Sequence, residues 1–277
     1  METIEVDADG SFNEDGDYAI PGVKGFGSEI KVAFVDPAGS MTGKLFPTGN
    51  RTDTIFVKDR NGPHFSVKAT LIDIANPFVV VDASSLPQYL CSCPKESAGY
   101  LEHMESIRRT GAVMMGLAPN IQAAAKVRGT PKLAIVSPPA QKVGGMEDTA
   151  DVHVVAFSMG KPHPSLQLTG AACLASAVCI QGTAAHHAAS MNGMDADSLL
   201  TPERTPSPSV EHGESQHKGS SMCGLLPDQR TVRLSHASGS IDVEVLASIS
   251  STVAVVERCI VSRTARRLFE GRVYYYE

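Results

Sequence analysis

From Leu168 to Ile180 the chain reads Leu-Thr-Gly-Ala-Ala-Cys-Leu-Ala-Ser-Ala-Val-Cys-Ile, without a charge and without a polar face. A helix that is small and apolar all round is stable only when other structure buries it on every side. The rest of the chain is rich in strand-like segments, so the natural enclosure is a sheet curled around the helix. Thr169 and Gly170 open the segment, and free backbone N–H groups at such a helix start suit an anion.

The expected strands are short and well marked. Ile4 and Val6 alternate with polar residues before Asp9-Gly10, and Ile30 to Val35, Thr54 to Val57, Ser66 to Ile72 and Phe78 to Val81 follow. Lys95 to Leu117 is the best amphipathic helix, with Leu101, Met104, Ile107 and Arg108 at helical spacing, and a shorter helix is expected over Ile121 to Val127. Strands return at Lys132 to Val136 and Val152 to Phe157, and then at Thr231–His236, Ile241–Ala247, Thr252–Val261 and Gly271–Tyr276. Between them, residues 192–222 hold Pro202, Pro206, Pro208 and many Ser and Thr, which reads as a disordered insertion.

Composition narrows the class. Of 277 residues 42% are hydrophobic, enough for a large core. Lys plus Arg number 24 against 30 Asp plus Glu, a formal charge of −6, and a mildly acidic chain lacks the electrostatic footprint of a general nucleic-acid binder. The acidic start, Met-Glu-Thr-Ile-Glu-Val-Asp, does not fit a secretory signal. The most apolar window, Leu166 to Ala189, is broken by Gln181, His186 and His187 and makes a poor membrane span. Cys91, Cys93, Cys173, Cys179, Cys223 and Cys259 show no disulfide-framework spacing. The expectation is a cytoplasmic protein with reduced thiols.

Candidate chemistry gathers beside the apolar helix. Ser158-Met-Gly-Lys-Pro-His-Pro164 puts the Lys161 amine and the His163 imidazole just before it. Together they could hold carboxylates or move protons, or form no more than an exposed basic loop. Cys173, one turn into the helix, reads as a small core hydrophobe or as a base whose pKa the helix start lowers. His186-His187 are expected at a helix end, against terminal carbonyls. No metal site is expected: His212, His217 and Cys223 are loosely spaced, and Cys91-Ser-Cys93 is not a CxxC pair. No GxSxG elbow surrounds Ser158 or Ser165, and Gly25-Phe-Gly27 lacks the context of a dinucleotide fingerprint.

The order of motifs then points to a family. Phe46-Pro-Thr-Gly-Asn50, Ile107-Arg108 with Gly111-Ala and Met115-Gly-Leu117, Pro131-Lys-Leu-Ala-Ile-Val136 and Ser158-Met-Gly-Lys-Pro-His163 occur in sequence. Thr169-Gly-Ala171, Gly182-Thr183, His236-Ala-Ser-Gly239 and Ser262-Arg-Thr-Ala-Arg266 follow. Each is weak alone; in this order over nearly the whole chain they closely resemble the PrpF family of allylic isomerases. The resemblance implies an α+β, diaminopimelate epimerase-like fold, a curled, mostly antiparallel sheet around a central helix. It also implies a cofactor-independent proton shift or cis-trans isomerisation on a small unsaturated di- or tricarboxylate, with no metal.

Position by position, the resemblance implies Lys161 and Cys173 as catalytic groups. It implies Thr48, Gly49, Asn50, His163, Thr169, Gly170, Ser238 and Gly239 as substrate contacts. The family's first half supplies a cysteine in a Gly-Asn-Cys-Gly-Asn-type motif and a lysine from an earlier loop, and neither motif occurs here. The expected organisation is therefore a complete second half with the first largely missing. Residues 1–43 would be the remnant of the first half, 44–262 the second half, and 263–277 a closing strand packing back on the first. Three readings follow: an isomerase inactive as a lone chain, one completed by a homodimer or partner chain, or a non-catalytic homologue that binds carboxylates or a partner. All three predict an exposed apolar face.

Overall fold

The computed structural model describes residues 2–3, 13–58, 64–139, 150–191, 227–250, 253–266, 271 and 274. The pattern around Ile4 and Val6, the insertion expected at 192–222 and the His212, His217 and Cys223 group lie outside them, as does most of Gly271–Tyr276.

The strands are β1 (Glu2–Thr3), β2 (Ile30–Val35), β3 (Asp53–Val57), β4 (Phe65–Ile74), β5 (Asn76–Asp82), β6 (Lys132–Ser137), β7 (Val152–Ser158), β8 (Lys161–Pro162), β9 (Asp228–His236), β10 (Gly239–Ile249) and β11 (Ala254–Arg263). The helices are α1 (Gln88–Cys91), α2 (Ala98–Met114), α3 (Ile121–Lys126), α4 (Leu168–Cys179) and α5 (Ala184–Ser190). All strands join one sheet in the order β1-β2-β11-β10-β9-β7-β6-β5-β4-β3, with β8 paired to β7. Neighbours run antiparallel except β5–β6 and β7–β9. The β7–β9 join is short: only Val152 with Leu234 and His153 with Ser235. β2, within the span assigned to a first-half remnant, continues the same sheet by pairing with β11 from Val35–Arg258 to Ile30–Arg263.

The sheet curls around α4, which touches β4, β5, β9, β10 and β11. Gly170 through Val178 are all buried, as the absence of any polar face requires. Alternation sorts the strand residues between two cores. Ile72, Ile74, Phe78, Val80, Ala134 and Val136 face α4, while Leu71, Val79, Val81, Leu133 and Ile135 face outward under α2. β4 to β6 are therefore apolar on both faces, whereas β9 and β10 alternate buried and accessible residues.

α2 buries Tyr100, Met104, Ile107, Arg108 and Gly111 on one stripe. A Cβ on Gly111 would sit 2.4 Å from Val79 Cγ2, so glycine lets the helix lie close on β5. No single helix among the described residues is long and apolar enough to cross a membrane. The bent pair α4–α5 has a span-like composition, but its apolar surface is spent inside the sheet. Large apolar side chains are exposed at Val23, Phe26, Val35 and Val255, near or on β2 and β11, and at Phe56 on β3.

Candidate active site

Register fixes which residues gather at which end of α4. Arg51 donates to the carbonyls of Gln181 and Ser250, and Thr70 accepts from the Ala184 N–H. The β10–β11 turn and the middle of β4 thus lie at the C-terminal end of α4. The opposite ends of these strands, Arg263 on β11, the His236–Gly239 turn between β9 and β10 and the Ala75–Asn76 turn between β4 and β5, surround its N-terminal end. Cys259 touches Ala172 and Ser176, and Arg263 lies about 13 Å further along the strand, past the first turn of the helix.

The β7–β8 hairpin closes this mouth. Met159 and Gly160 both take positive φ, 53° and 78°, as a tight two-residue turn requires, and Arg128 donates to the Met159 carbonyl at 2.8 Å. Ser158 pairs with Lys161, and the His163 N–H bonds to Ala156 O at 2.8 Å. Ala156 and Ser158 share the face of β7 that turns toward α4, so Lys161 and His163 are carried on that face too. His163 Nδ1 lies 2.6 Å from the Ser165 carbonyl, which leaves Nε2 for other work. Ser238 Oγ donates to Pro164 O and the Ser238 N–H donates to His236 Nδ1. Gly239, at φ 135°, lies so close to Pro21 that a Cβ would sit 2.5 Å from the ring.

The electrostatics of this mouth favour an anion. Burial first, then the charges of Arg263, His153 and His163, hold His236 below its ordinary value. Arg263 is itself lowered by burial. α4 starts without a side-chain cap at Gln167, so its first N–H groups and the positive end of its dipole face the same space. A carboxylate placed there meets a guanidinium, imidazoles and backbone donors together.

Six of the ten residues expected at the site meet here: Lys161, His163, Thr169, Gly170, Ser238 and Gly239. Thr48, Gly49 and Asn50 are at the other end. Thr48 Oγ1 and Asn50 Nδ2 donate to Asp53 at 2.7 and 2.8 Å, and Gly49 supplies the φ of 82° that the turn needs. Their polar groups hold a turn beside Arg51. Cys173 also departs from expectation. It is wholly buried among core residues, and burial pushes its thiol well above the usual range despite the Ile74 N–H that lowers it. This packing gives Cys173 a core position and not that of a base. His187 does not reach a helix-terminal carbonyl with its ring; Nδ1 lies 2.8 Å from Asp82 Oδ2. Among the described residues no group of three or more His, Cys, Asp or Glu is placed to hold a metal.

His236 and Arg263 stand in the His236–Gly239 and Ser262–Arg266 motifs, but only the pairing of β9, β10 and β11 brings them to α4, so local sequence carries no signal of their place at the site.

A curled, mostly antiparallel sheet around a buried helix, with an anion-ready mouth, defines the diaminopimelate epimerase-like class of folds. Comparison with a solved methylitaconate-delta-isomerase agrees, with a TM-score of 0.66 and 26% identity over 98% of this chain and 62% of that one. The PrpF protein family model matches residues 2–205 and 225–276, and the chain belongs to that family. It is 30% identical to the 2-methyl-aconitate isomerase of Shewanella oneidensis, across 96% of this chain and 60% of the relative. It is 28% identical to the 3-methylitaconate isomerase of Eubacterium barkeri, across 98% and 62%. The chain thus spans about three fifths of the length of these curated relatives.

Proposed function

We propose that this chain forms the carboxylate-holding part of an isomerase that shifts a proton within a small unsaturated di- or tricarboxylate. The observation that carries the reading is the convergence of Arg263, His236 and His163 on the uncapped start of α4. One carboxylate binds the helix start, Arg263 and His236. Lys161 and His163, on a shared face beside it, hold a second carboxylate or carry the proton.

In such a reaction a base takes a proton from the carbon next to a carboxylate. The C–H electron pair delocalises through the allylic system onto the carboxylate oxygens, and the proton returns at another carbon or on another face. Only a proton and an electron pair move, so the step balances without an oxidant or reductant. Preorganised cations and backbone dipoles stabilise the charge as it develops. Names of relatives support the substrate class: 2-methyl-aconitate, 3-methylitaconate and 4-oxalomesaconate all appear in them.

The test is proton exchange. The full chain is incubated in D2O with cis-aconitate or methylitaconate, and allylic deuterium and isomer ratio are followed by NMR. Deuterium incorporation that Arg263→Ala abolishes is the expected result. Neither incorporation nor binding of either acid by the parent chain would overturn the reading.

A further inference from the structure

The buried polar side-chain atoms without a hydrogen-bond partner among the described residues belong to Ser28, Asn76 and Gln167. All three residues lie at the mouth of α4. Gln167 is its N-cap residue. Asn76 begins β5 and shares a strand face with Phe78, whose ring would lie 3.0 Å from a Cβ on Gly170. Ser28 precedes Ile30, the partner of Arg263.

Gln167 is the most informative of them. Both heteroatoms of its carboxamide, Oε1 and Nε2, are buried and unbonded. Oε1 would lie 3.2 Å from a Cβ on Gly170, so the amide rests against the first turn of the helix. A capping side chain there accepts from the N–H of the second or third helical residue; Gln167 makes no such bond. Buried amides are almost always paired, and an apolar residue of the same size would fill the space at no polar cost. The orphaned atoms are therefore matched to something the described residues do not supply.

We infer that Gln167 and Asn76 recognise a carboxyl group of the substrate, Gln167 Nε2 and Asn76 Nδ2 donating to its oxygens beside the start of α4. The assignment rests on the carboxylate-isomerase reading above and adds to it two neutral, directional donors where Arg263 and His236 supply charge. Charge alone attracts any anion; two fixed amides select a planar carboxyl group held at one angle. Gln167 Oε1 accepts from a proton-bearing group that arrives with the ligand, a hydroxyl or a carried water.

Calorimetric titration of tricarballylate, a saturated tricarboxylate, into the full chain tests the inference alongside thermal melts of the ligand-free protein. Gln167→Leu and Asn76→Leu are each expected to weaken binding at least tenfold, while the ligand-free melting temperature stays level or rises. That opposition of affinity and stability separates recognition from a structural role. Gln167→Asn, which keeps the amide but withdraws it, is expected to fall between parent and Gln167→Leu.

Unchanged affinity in Gln167→Leu, with Arg263→Ala losing binding, would mean that solvent alone satisfies the amide; the inference would fall and the anion site would stand. A Gln167→Leu protein that melts below its parent would show that the fold itself uses the amide, and would overturn the assignment. No binding by the parent chain would remove the carboxylate reading and the amide role with it.

Discussion

Arg51 Nη1 donates to the carbonyl of Gln181 at 2.8 Å, across 130 residues of sequence. Its second nitrogen reaches Ser250 O at 3.1 Å, so one side chain fastens the loop after Asn50 both to the exit of α4 and to the β10–β11 turn. Hydrogen bonds from a charged donor contribute about 1.5–3 kcal/mol when buried and less at this partly exposed place. Arg51→Ala is expected to cost about 1–2 kcal/mol in urea unfolding. Carboxylate affinity should not change, because the bonds lie at the end of α4 away from the mouth. A loss of affinity matching the loss of stability would show that the two ends are coupled.

Arg108 is a second fastening, and a more demanding one. Its side chain is 4% exposed and meets both oxygens of Glu105, at 2.7 and 2.8 Å. It also donates to the carbonyls of Ala124, Val127 and Thr130. Glu105, held below the ordinary carboxylate range by Arg108 and Arg109 despite the opposing effect of burial, is shared between them. Removing a buried partner leaves uncompensated groups behind, at a cost of about 3–5 kcal/mol. Arg108→Ala should lose stability of that order, and Arg108→Lys should recover only part of it, since an ammonium cannot reproduce the planar fork. Denaturation midpoints of the two variants check this.

His236 gives the mouth a pH dependence. Burial and the facing Arg263, His153 and His163 lower its pKa in the folded chain, so between that lowered value and about 6.5 the unfolded chain binds more protons. Stability is full above this window and falls as the pH drops through it. Binding runs the other way. An anion beside His236 favours the imidazolium, so tricarballylate should bind more tightly at pH 6 than at pH 8 and take up a proton. Calorimetry in buffers of different ionisation enthalpy measures the uptake. His236→Gln should flatten the binding slope but only part of the stability slope, because His186 on α5 is also lowered, by burial, Arg230 and His187.

The thiols divide by position. Cys173 and Cys259 are buried, whereas Cys91 is exposed. Burial raises Cys259 to about 11, and Cys173 is raised further still. Alkylation of the native chain should label Cys91 first and leave Cys173 intact until unfolding, as peptide mass mapping would show. Cys173→Ala should cost about 1 kcal/mol for the small cavity and leave proton exchange unchanged. Loss of exchange with retained stability would restore the thiol to the chemistry.

Much of the fold was legible where burial is one-sided or total. The uncharged run behind α4 and the apolar runs of β4 to β6 each carry their environment in local composition. α2 announced itself through Met104, Ile107 and Arg108. The short β8 did not, because two residues ending in Pro162 carry no period. Nor did the ring contact of His187 with Asp82, which the sequence separates by 105 positions. For the site, Lys161, His163, Thr169 and Gly170 were readable because they precede or begin the apolar helix along the chain. Which end of α4 the Thr48–Asn50 turn would meet depends on Arg51 and Gln181, and motif order does not encode it. His236, Arg263, Gln167 and Asn76 reach the mouth through strand pairing and orphaned burial, neither of which leaves a local signature.

The short parallel join between β7 and β9 has a kinetic meaning. Two residue pairs hold the middle of the sheet there, aided by Asp151, whose N–H donates to the Arg233 carbonyl and whose carboxylate accepts from the Arg233 N–H and from Arg230, each at 2.7 Å. On either side the ladders are long and antiparallel. Amide exchange should therefore be fastest along this seam and slow within each flank. The enclosure around α4 would breathe by parting at Asp151, as two stiff halves on a hinge.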